Sequence, residues 1–198
     1  MTPKLVLLAG GKGSRMGGNK PFAPWGRSTL IETLIARLKP QVRALVINAG
    51  AKDAPLVLPL SCLSLPLIFD DPAFAGMGPL AGVLSALDMA CEAGDIQVIT
   101  VPCDMPNVPE DMVAQLLASP PADIVHFKGE RDYPLCALWQ VSVTPALRVA
   151  LQQADGGLGV MRFLSTQAVR TIAVSDDAAF ANINQLPLPP GQGHGPSR

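Results

Sequence analysis

The chain has 198 residues, of which 48% are apolar and 16% are charged, and its formal net charge is −1 at pH 7. A chain of this length and apolar content can bury the core of one globular domain. The near-zero net charge argues against a protein that coats nucleic acid or another polyanion, so we expect its cations to be used locally.

Apolar runs and cysteines exclude further classes of protein. The longest apolar runs are far shorter than the roughly 20 residues of a membrane-spanning helix, so we expect no membrane span. The N-terminal run lacks the length and cleavage pattern of a secretory signal. The four cysteines show no CxxC spacing, which argues against a zinc site or a disulfide framework. These features predict a cytoplasmic protein with reduced thiols.

Short β-rich runs alternate with helical stretches along the chain. The first four predicted strands are nearly continuous in apolar residues, as strands buried on both faces are. This alternation predicts a three-layer α/β/α fold with a mainly parallel, twisted sheet. The predicted strands cover residues 4–10, 43–48, 66–69, 96–102, 122–127 and 134–139.

Local signals mark three helices. The first begins with Thr29 and Glu32, whose spacing is typical of a capping box. The second begins at Pro79, a favoured first-turn residue, and ends near Gly94. The third is predicted to start after Val108 with two acidic residues in its first turn, where the helix dipole favours negative charge. Residues 186–198 are rich in proline and glycine and are predicted to form a mobile tail.

The loop after the first strand, LAGGKGSRMGGNK, allows three interpretations. A dinucleotide-binding turn fails because methionine occupies its last glycine position, and because Asn48 rather than an acid ends the second strand. A P-loop fails because Asn19 precedes Lys20 and because Pro21 stands where a magnesium-binding hydroxyl is required. The third interpretation is a loop of the pyrophosphorylase type, which neutralises a nucleoside triphosphate.

The pyrophosphorylase-type interpretation assigns a task to each part of the loop. Gly10, Gly11 and Gly13 allow the backbone to pass close to a polyphosphate, and Arg15 and Lys20 supply positive charge. A plain flexible connection with solvated lysines is the alternative. Since ligands of open α/β sheets bind beyond the carboxyl ends of the strands, the position of the loop favours a binding site.

The same stretch resembles the L-A-G-G-x-S-x-R-M-G-x-x-K signature of the molybdenum cofactor guanylyltransferases. The resemblance continues in order through VINAG, DDPAFAGMGPLAGVLSAL, VPCDMPNVP, GERDYPLCALW and FANIN. It covers residues 4–184 and is far more specific as an ordered set than any one motif. Two departures are that Asn19 replaces the aspartate usual before the loop lysine, and that QLPLPPG replaces the start of the family's final helix.

The resemblance implies a Rossmann-like nucleotidyltransferase domain over residues 1–185 and an enzymatic activity. The family transfers GMP from GTP to molybdopterin, which releases pyrophosphate and forms a guanine dinucleotide cofactor. GTP and molybdopterin are the implied substrates and Mg²⁺ the implied cofactor, and contacts with cofactor-insertion proteins or recipient molybdoenzymes are also implied. A cytidylyltransferase for the same cofactor, a sugar-phosphate nucleotidylyltransferase and a nucleotide-binding or cofactor-carrier module remain alternatives.

Three residues are the catalytic candidates, because a reaction between two phosphates depends on positioning and on charge stabilisation. Arg15 and Lys20 are expected to stabilise the pyrophosphate leaving group. Asp104, at the end of the fourth strand, is the candidate metal ligand, since Mg²⁺ takes carboxylate and phosphate oxygens. Its alternative role is to cap a turn. Cys103, beside it, is expected to serve packing, since direct transfer needs no covalent intermediate.

The residues expected to bind the nucleotide lie in the glycine loop and at the strand ends: Leu8, Ala9, Gly10, Gly11, Gly13, Lys20, Asn48, Asp71 and Asp104. The resemblance implies that the end of the first strand lies along the purine and that Asp71 contacts the nucleotide, and we expect the neighbouring Asp70 to be solvated. Related cytidylyltransferases read L-A-A-G at this strand end. We therefore expect Gly10 to leave room for the larger base.

The acceptor is expected at two other segments of the chain. Gly78 and Gly82 surround a predicted helix N-terminus, which suits a phosphate group. Asn182 and Asn184 resemble family residues near the acceptor. Asparagine is also common in turns, so a purely structural role is the alternative for this pair.

Overall fold

The structure is a computed structural model that describes residues 3–10, 20–174 and 176–182. The predicted mobile tail, 186–198, lies outside these residues. The strands in the described part are β1 (Lys4–Leu8), β2 (Pro24–Trp25), β3 (Ser28–Thr29), β4 (Ala44–Asn48), β5 (Leu67–Ile68), β6 (Gln97–Pro102), β7 (Ile124–Lys128), β8 (Asp132–Gln140) and β9 (Val169–Ala173). The helices there are α1 (Leu30–Leu38), α2 (Val57–Ser61), α3 (Pro79–Glu92), α4 (Met112–Ala118), α5 (Thr144–Gln152) and α6 (Val160–Leu164).

Seven of these strands form one sheet, in the order β5-β4-β1-β6-β8-β7-β9. The central strand β1 pairs in parallel with β4 on one side and with β6 on the other. Among the described strands of the sheet, β8 alone runs against the rest, because it pairs antiparallel with both β6 and β7. The prediction of a mainly parallel sheet is therefore confirmed.

Helices cover both faces of the sheet, as the apolar character of its central strands requires. Side chains alternate along β1, so Leu7 enters the core on one face and Val6 enters the core on the other. Leu34 of α1 packs in the first core and Leu84 of α3 in the second. The three-layer α/β/α prediction is confirmed. Among the helices of the described residues, none has the length and apolarity needed to cross a membrane.

The helix starts follow the predicted signals at α1 and α3 but not at α4. Thr29 Oγ1 accepts a hydrogen bond from the Glu32 amide at 3.4 Å, and Glu32 Oε2 accepts one from the Thr29 amide at 2.9 Å. The capping box is thus present. At α4 the prediction is wrong, because a turn in which the Met112 amide donates to the Pro109 carbonyl precedes the helix. Both acidic residues therefore lie before its first turn, with Asp111 at the N-cap.

We expect Thr29→Ala to lower the free energy of unfolding by about 1 kcal/mol, because the variant loses the side chain that caps α1. Urea unfolding followed by circular dichroism measures this change. Thr29→Ser is the matched control, since it keeps the hydroxyl group and should retain most of the stability. Equal loss in both variants would show that the hydroxyl does not stabilise the helix.

Candidate active site

A cavity of about 170 Å³ lies at the carboxyl edge of the parallel strands. Its wall comes from the ends of β1 and β6, the start of α3 and the segment that leads towards α1. This is the edge at which open α/β sheets bind their ligands. The lining residues are Leu8, Ala9, Gly10, Lys20, Pro21, Leu56, Pro79, Pro102, Cys103, Asp104 and Leu135.

Two charged side chains of this cavity, Lys20 and Asp104, are bonded to each other. Lys20 Nζ donates to Asp104 Oδ2 at 2.6 Å, and the two side chains are 19% and 20% exposed. A short charge-assisted hydrogen bond of this kind is among the stronger polar contacts in proteins. The structure thus brings together two of the three predicted catalytic residues, although 84 positions separate them in the chain.

The backbone holds each member of the pair at the cavity. Lys20 begins a 3₁₀ turn over residues 20–22, and its carbonyl accepts from the Ala23 amide at 3.1 Å. Asp104 follows β6, whose end is tied to β1 because the Cys103 amide donates to the Leu8 carbonyl at 3.2 Å. Asp104 is therefore carried on backbone tied to the central strand, and Lys20 on a hydrogen-bonded turn.

The donor set at Asp104 fits a metal ion that arrives with phosphate oxygens. Among residues 3–10, 20–174 and 176–182, no group of three or more His, Cys, Asp or Glu side chains could hold a metal ion. Mg²⁺ in proteins is often held by one or two carboxylates together with substrate phosphates and water. Asp104 can supply the carboxylate of such a site, and the cavity beside it can admit the phosphates.

Asn48, at the end of β4, is bonded to the end of β1 and to Asp70, which follows β5. Its carbonyl accepts from the amides of Ala9 and Gly10 at 2.9 and 3.0 Å, and its side-chain amide donates to Asp70 Oδ1 at 2.8 Å. Gly82 of α3 packs against it, since an added Cβ there would lie 2.8 Å from Asn48 Oδ1. Gly82 is buried and makes space for Asn48, so the structure does not place it where an acceptor phosphate could contact it.

The neighbouring acids Asp70 and Asp71 point in different directions. The expectation that Asp70 is solvated is wrong, because its carboxylate is half-buried and accepts the hydrogen bond from Asn48. Burial raises the pKa of Asp70, and the bond from Asn48 acts in the opposite sense. Asp71 instead accepts from the Ala73 amide at 2.9 Å and lies 3.7 Å from Arg148 Nη1. Of the two acids, the structure brings Asp70 to Asn48, while the nucleotide contact of Asp71 stays a prediction.

Gly10 meets the backbone of Gly50 at the end of β4. A Cβ added to Gly10 would lie 2.3 Å from both Cα and N of Gly50, closer than real Cβ atoms come. The expectation that Gly10 directly leaves room for a base is therefore wrong, because its missing methyl group points at Gly50. Any effect of this position on base choice would act through displacement of residues 48–50.

A second cavity of about 170 Å³ adjoins the first, and both are lined by Pro102 and Leu135. Asn182, a predicted acceptor residue, lines it, and its buried Oδ1 has no hydrogen-bond partner among the described groups. The other lining residues are Met105, Arg131, Asp132, Tyr133, Pro134 and Phe180. The sequence analysis did not identify these residues as part of a site. The charged GERDY motif that leads into β8 was the signal that could have indicated three of them, Arg131, Asp132 and Tyr133.

The remaining predicted site residues divide into two groups. Gly78 is exposed at the N-cap of α3 with φ of 95°, so its predicted contact with the acceptor stays a prediction. The others lie outside the described residues: Gly11, Gly13, Arg15 and Asn184.

Comparisons with known proteins identify the family of this chain. A family model described as a MobA-like NTP transferase domain matches residues 5–171. The chain belongs to the MobA-like NTP transferase family. It is 37% identical over 181 residues to the molybdenum cofactor guanylyltransferase of Cereibacter sphaeroides (strain ATCC 17029 / ATH 2.4.9), with 90% of this chain and 89% of that protein covered. The family resemblance stated from the motifs is therefore confirmed.

Solved structures show the same fold as this member of the MobA-like family. Molybdopterin-guanine dinucleotide biosynthesis protein A from Archaeoglobus fulgidus is 24% identical with a TM-score of 0.73, covering 91% of this chain and 92% of that chain. A manganese complex of Rv0371C from Mycobacterium tuberculosis H37Rv is 14% identical with a TM-score of 0.63, covering 88% and 89%. These likenesses confirm the predicted Rossmann-like nucleotidyltransferase fold.

We expect Gly10→Ala to lower the free energy of unfolding by about 1–3 kcal/mol, the usual range for overpacking, because its methyl group would overlap Gly50. Thermal unfolding compares it with Gly159→Ala, whose added Cβ would meet only Arg162 Cβ at 3.8 Å. A Gly10→Ala protein as stable as the Gly159→Ala protein would contradict the close packing of these strand ends.

We expect a thiol reagent to react with the exposed Cys62 and Cys91 but not with the buried Cys103 and Cys136. Burial, together with the neighbouring charge of Asp104, raises the pKa of Cys103 to about 12. At about pH 8 the folded protein should therefore be alkylated at the two exposed thiols only, since the thiolate is the reactive form. Mass spectrometry locates the label, and the guanidinium-unfolded protein is the control. Labelling of Cys103 at the rate of Cys62 would contradict this assignment.

Proposed function

We propose that this protein is a molybdenum cofactor guanylyltransferase, which transfers GMP from GTP to molybdopterin. The observation that carries the proposal is the Lys20–Asp104 pair, bonded at 2.6 Å inside a cavity at the carboxyl edge of the sheet. The named activity of a relative 37% identical over 90% of this chain supports the choice of donor and acceptor. The same proposal assigns Mg²⁺ as the metal and the cytoplasm as the location of the protein.

The proposed reaction is a direct displacement at phosphorus. A terminal phosphate oxygen of molybdopterin attacks the α-phosphorus of GTP, the bond to the bridging oxygen of the β-phosphate breaks, and pyrophosphate leaves with that electron pair. Because attacking and leaving groups are both anions, the protein must supply positive charge and fixed geometry. Lys20 would neutralise phosphate oxygens, and Asp104 would hold the divalent ion, which would supply further positive charge.

The donor is proposed to occupy the first cavity. The end of β1 contributes residues 8–10 to its wall, and Lys20 and Asp104 stand where the phosphates would lie. Asn48 is 1% exposed and is bonded to Asp70 and to the β1 end, so it helps to fix this part of the wall. A wall held by backbone hydrogen bonds suits a reaction that depends on positioning, because little rearrangement is then needed in the transition state.

The acceptor is proposed to occupy the second cavity. It adjoins the first through Pro102 and Leu135, so groups bound in the two cavities would approach each other next to Asp104. Its lining combines apolar surface with polar side chains, and the unpartnered Oδ1 of Asn182 can accept a hydrogen bond from an N–H group of the pterin. A flat, polar heterocycle requires such a combination of surfaces.

Pyrophosphate release from GTP in the presence of molybdopterin and Mg²⁺ tests the proposed function. We expect Lys20→Met and Asp104→Asn each to lower kcat/KM by roughly a hundredfold or more, the usual effect of removing a preorganised charged group. Lys39→Met is the matched control, because Lys39 is an exposed lysine at the end of α1. Wild-type rates in the Lys20 and Asp104 variants would contradict the assignment, and equal rates with CTP and GTP would contradict the choice of base.

A further inference from the structure

The Lys20–Asp104 pair places an ammonium group on one oxygen of the carboxylate that a metal ion would use. Lys20 Nζ lies 2.6 Å from Asp104 Oδ2, and about four fifths of each side chain is shielded from solvent. Mg²⁺ binds carboxylate oxygens at about 2.1 Å and prefers near-ideal octahedral geometry. A metal ion on this carboxylate would therefore stand close to the ammonium group, and the two positive charges would repel each other.

The charge balance of the described site also opposes a metal ion that arrives alone. Asp104 contributes one negative charge, Lys20 cancels it, and no group of three or more acidic, histidine or cysteine side chains in the described ranges could hold the ion. The surrounding wall is largely apolar, with Leu8, Pro21 and Leu56 among its residues. In such surroundings, charges interact more strongly than in water, so the lysine is an effective competitor for the carboxylate.

We propose that Lys20 competes with the divalent metal ion for Asp104, so that the metal ion binds tightly only with a nucleotide whose phosphates give Lys20 another partner. The inference rests on the proposed function in that it assumes a triphosphate in the first cavity. Lysine suits this exchange because its ammonium is a point charge on a flexible stem. The metal ion and the phosphates then favour each other's binding, as thermodynamic linkage requires.

A consequence is that Lys20 has two opposing effects. It weakens the binding of a free metal ion, and it strengthens the binding of the metal–nucleotide complex. Replacing Lys20 with a neutral side chain should therefore tighten metal binding while it slows turnover. A residue that only maintained the structure of the site would not separate these two quantities in this way.

The test is a titration of the full-length protein with Mn²⁺ alone, with free Mn²⁺ measured by electron paramagnetic resonance. We expect Lys20→Met to bind Mn²⁺ roughly tenfold more tightly than the wild type or more, because a positive charge next to the carboxylate is removed. Lys20→Arg keeps the charge and should bind as weakly as the wild type. Lys20→Met combined with Asp104→Asn should lose the gain, because the ligand itself is removed.

Lys39→Met is the control for a general effect of charge, and its Mn²⁺ affinity should equal that of the wild type. The proposal is overturned if Lys20→Met binds Mn²⁺ no more tightly than the wild type, or if Lys39→Met tightens binding equally. The readout needs neither GTP nor molybdopterin. Failure of the proposed function, seen as absent pyrophosphate release, is therefore distinguishable from failure of the competition between Lys20 and the metal ion.

Discussion

The ion pair between Lys20 and Asp104 is the interaction on which the site depends. The two residues meet because β1 and β6 are parallel neighbours, so the segments that follow these strands emerge at the same edge of the sheet. Without this topology, the two charged side chains would not lie together in one cavity. The parallel sheet therefore converts two distant positions of the chain into one site that can hold a phosphate and a metal ion.

A second set of contacts, made mainly by backbone and amide groups, holds the frame around this pair. Asn48 binds the amides at the end of β1 through its carbonyl and binds Asp70 through its side chain. Gly10 and Gly50 allow the ends of β1 and β4 to approach closely, and the Gly50 carbonyl accepts from the Asp70 amide at 2.8 Å. This frame is thus built mainly from backbone and amide hydrogen bonds, and neither Lys20 nor Asp104 takes part in it.

Much of the fold could be predicted from the sequence, because its signals are local. The apolar strands, the capping box of α1 and the proline at the start of α3 each act within a few residues. The presence of Lys20 and Asp104 at one edge of the sheet follows from one topological rule, whereas their direct hydrogen bond was not predicted. The sequence could not show that Asp70 rather than Asp71 meets Asn48, since that depends on how one loop packs. It also could not show that Gly10 meets Gly50, because this contact lies between distant segments.

A crystal structure with a non-hydrolysable GTP analogue and Mg²⁺ tests the central claim most directly, since it locates both charges relative to the phosphates. The account predicts that Lys20 Nζ lies within hydrogen-bond distance of a phosphate oxygen and that an Asp104 carboxylate oxygen lies about 2.1 Å from the metal ion. A complex in which Lys20 still binds Asp104, with the triphosphate and the metal ion held elsewhere, would contradict it.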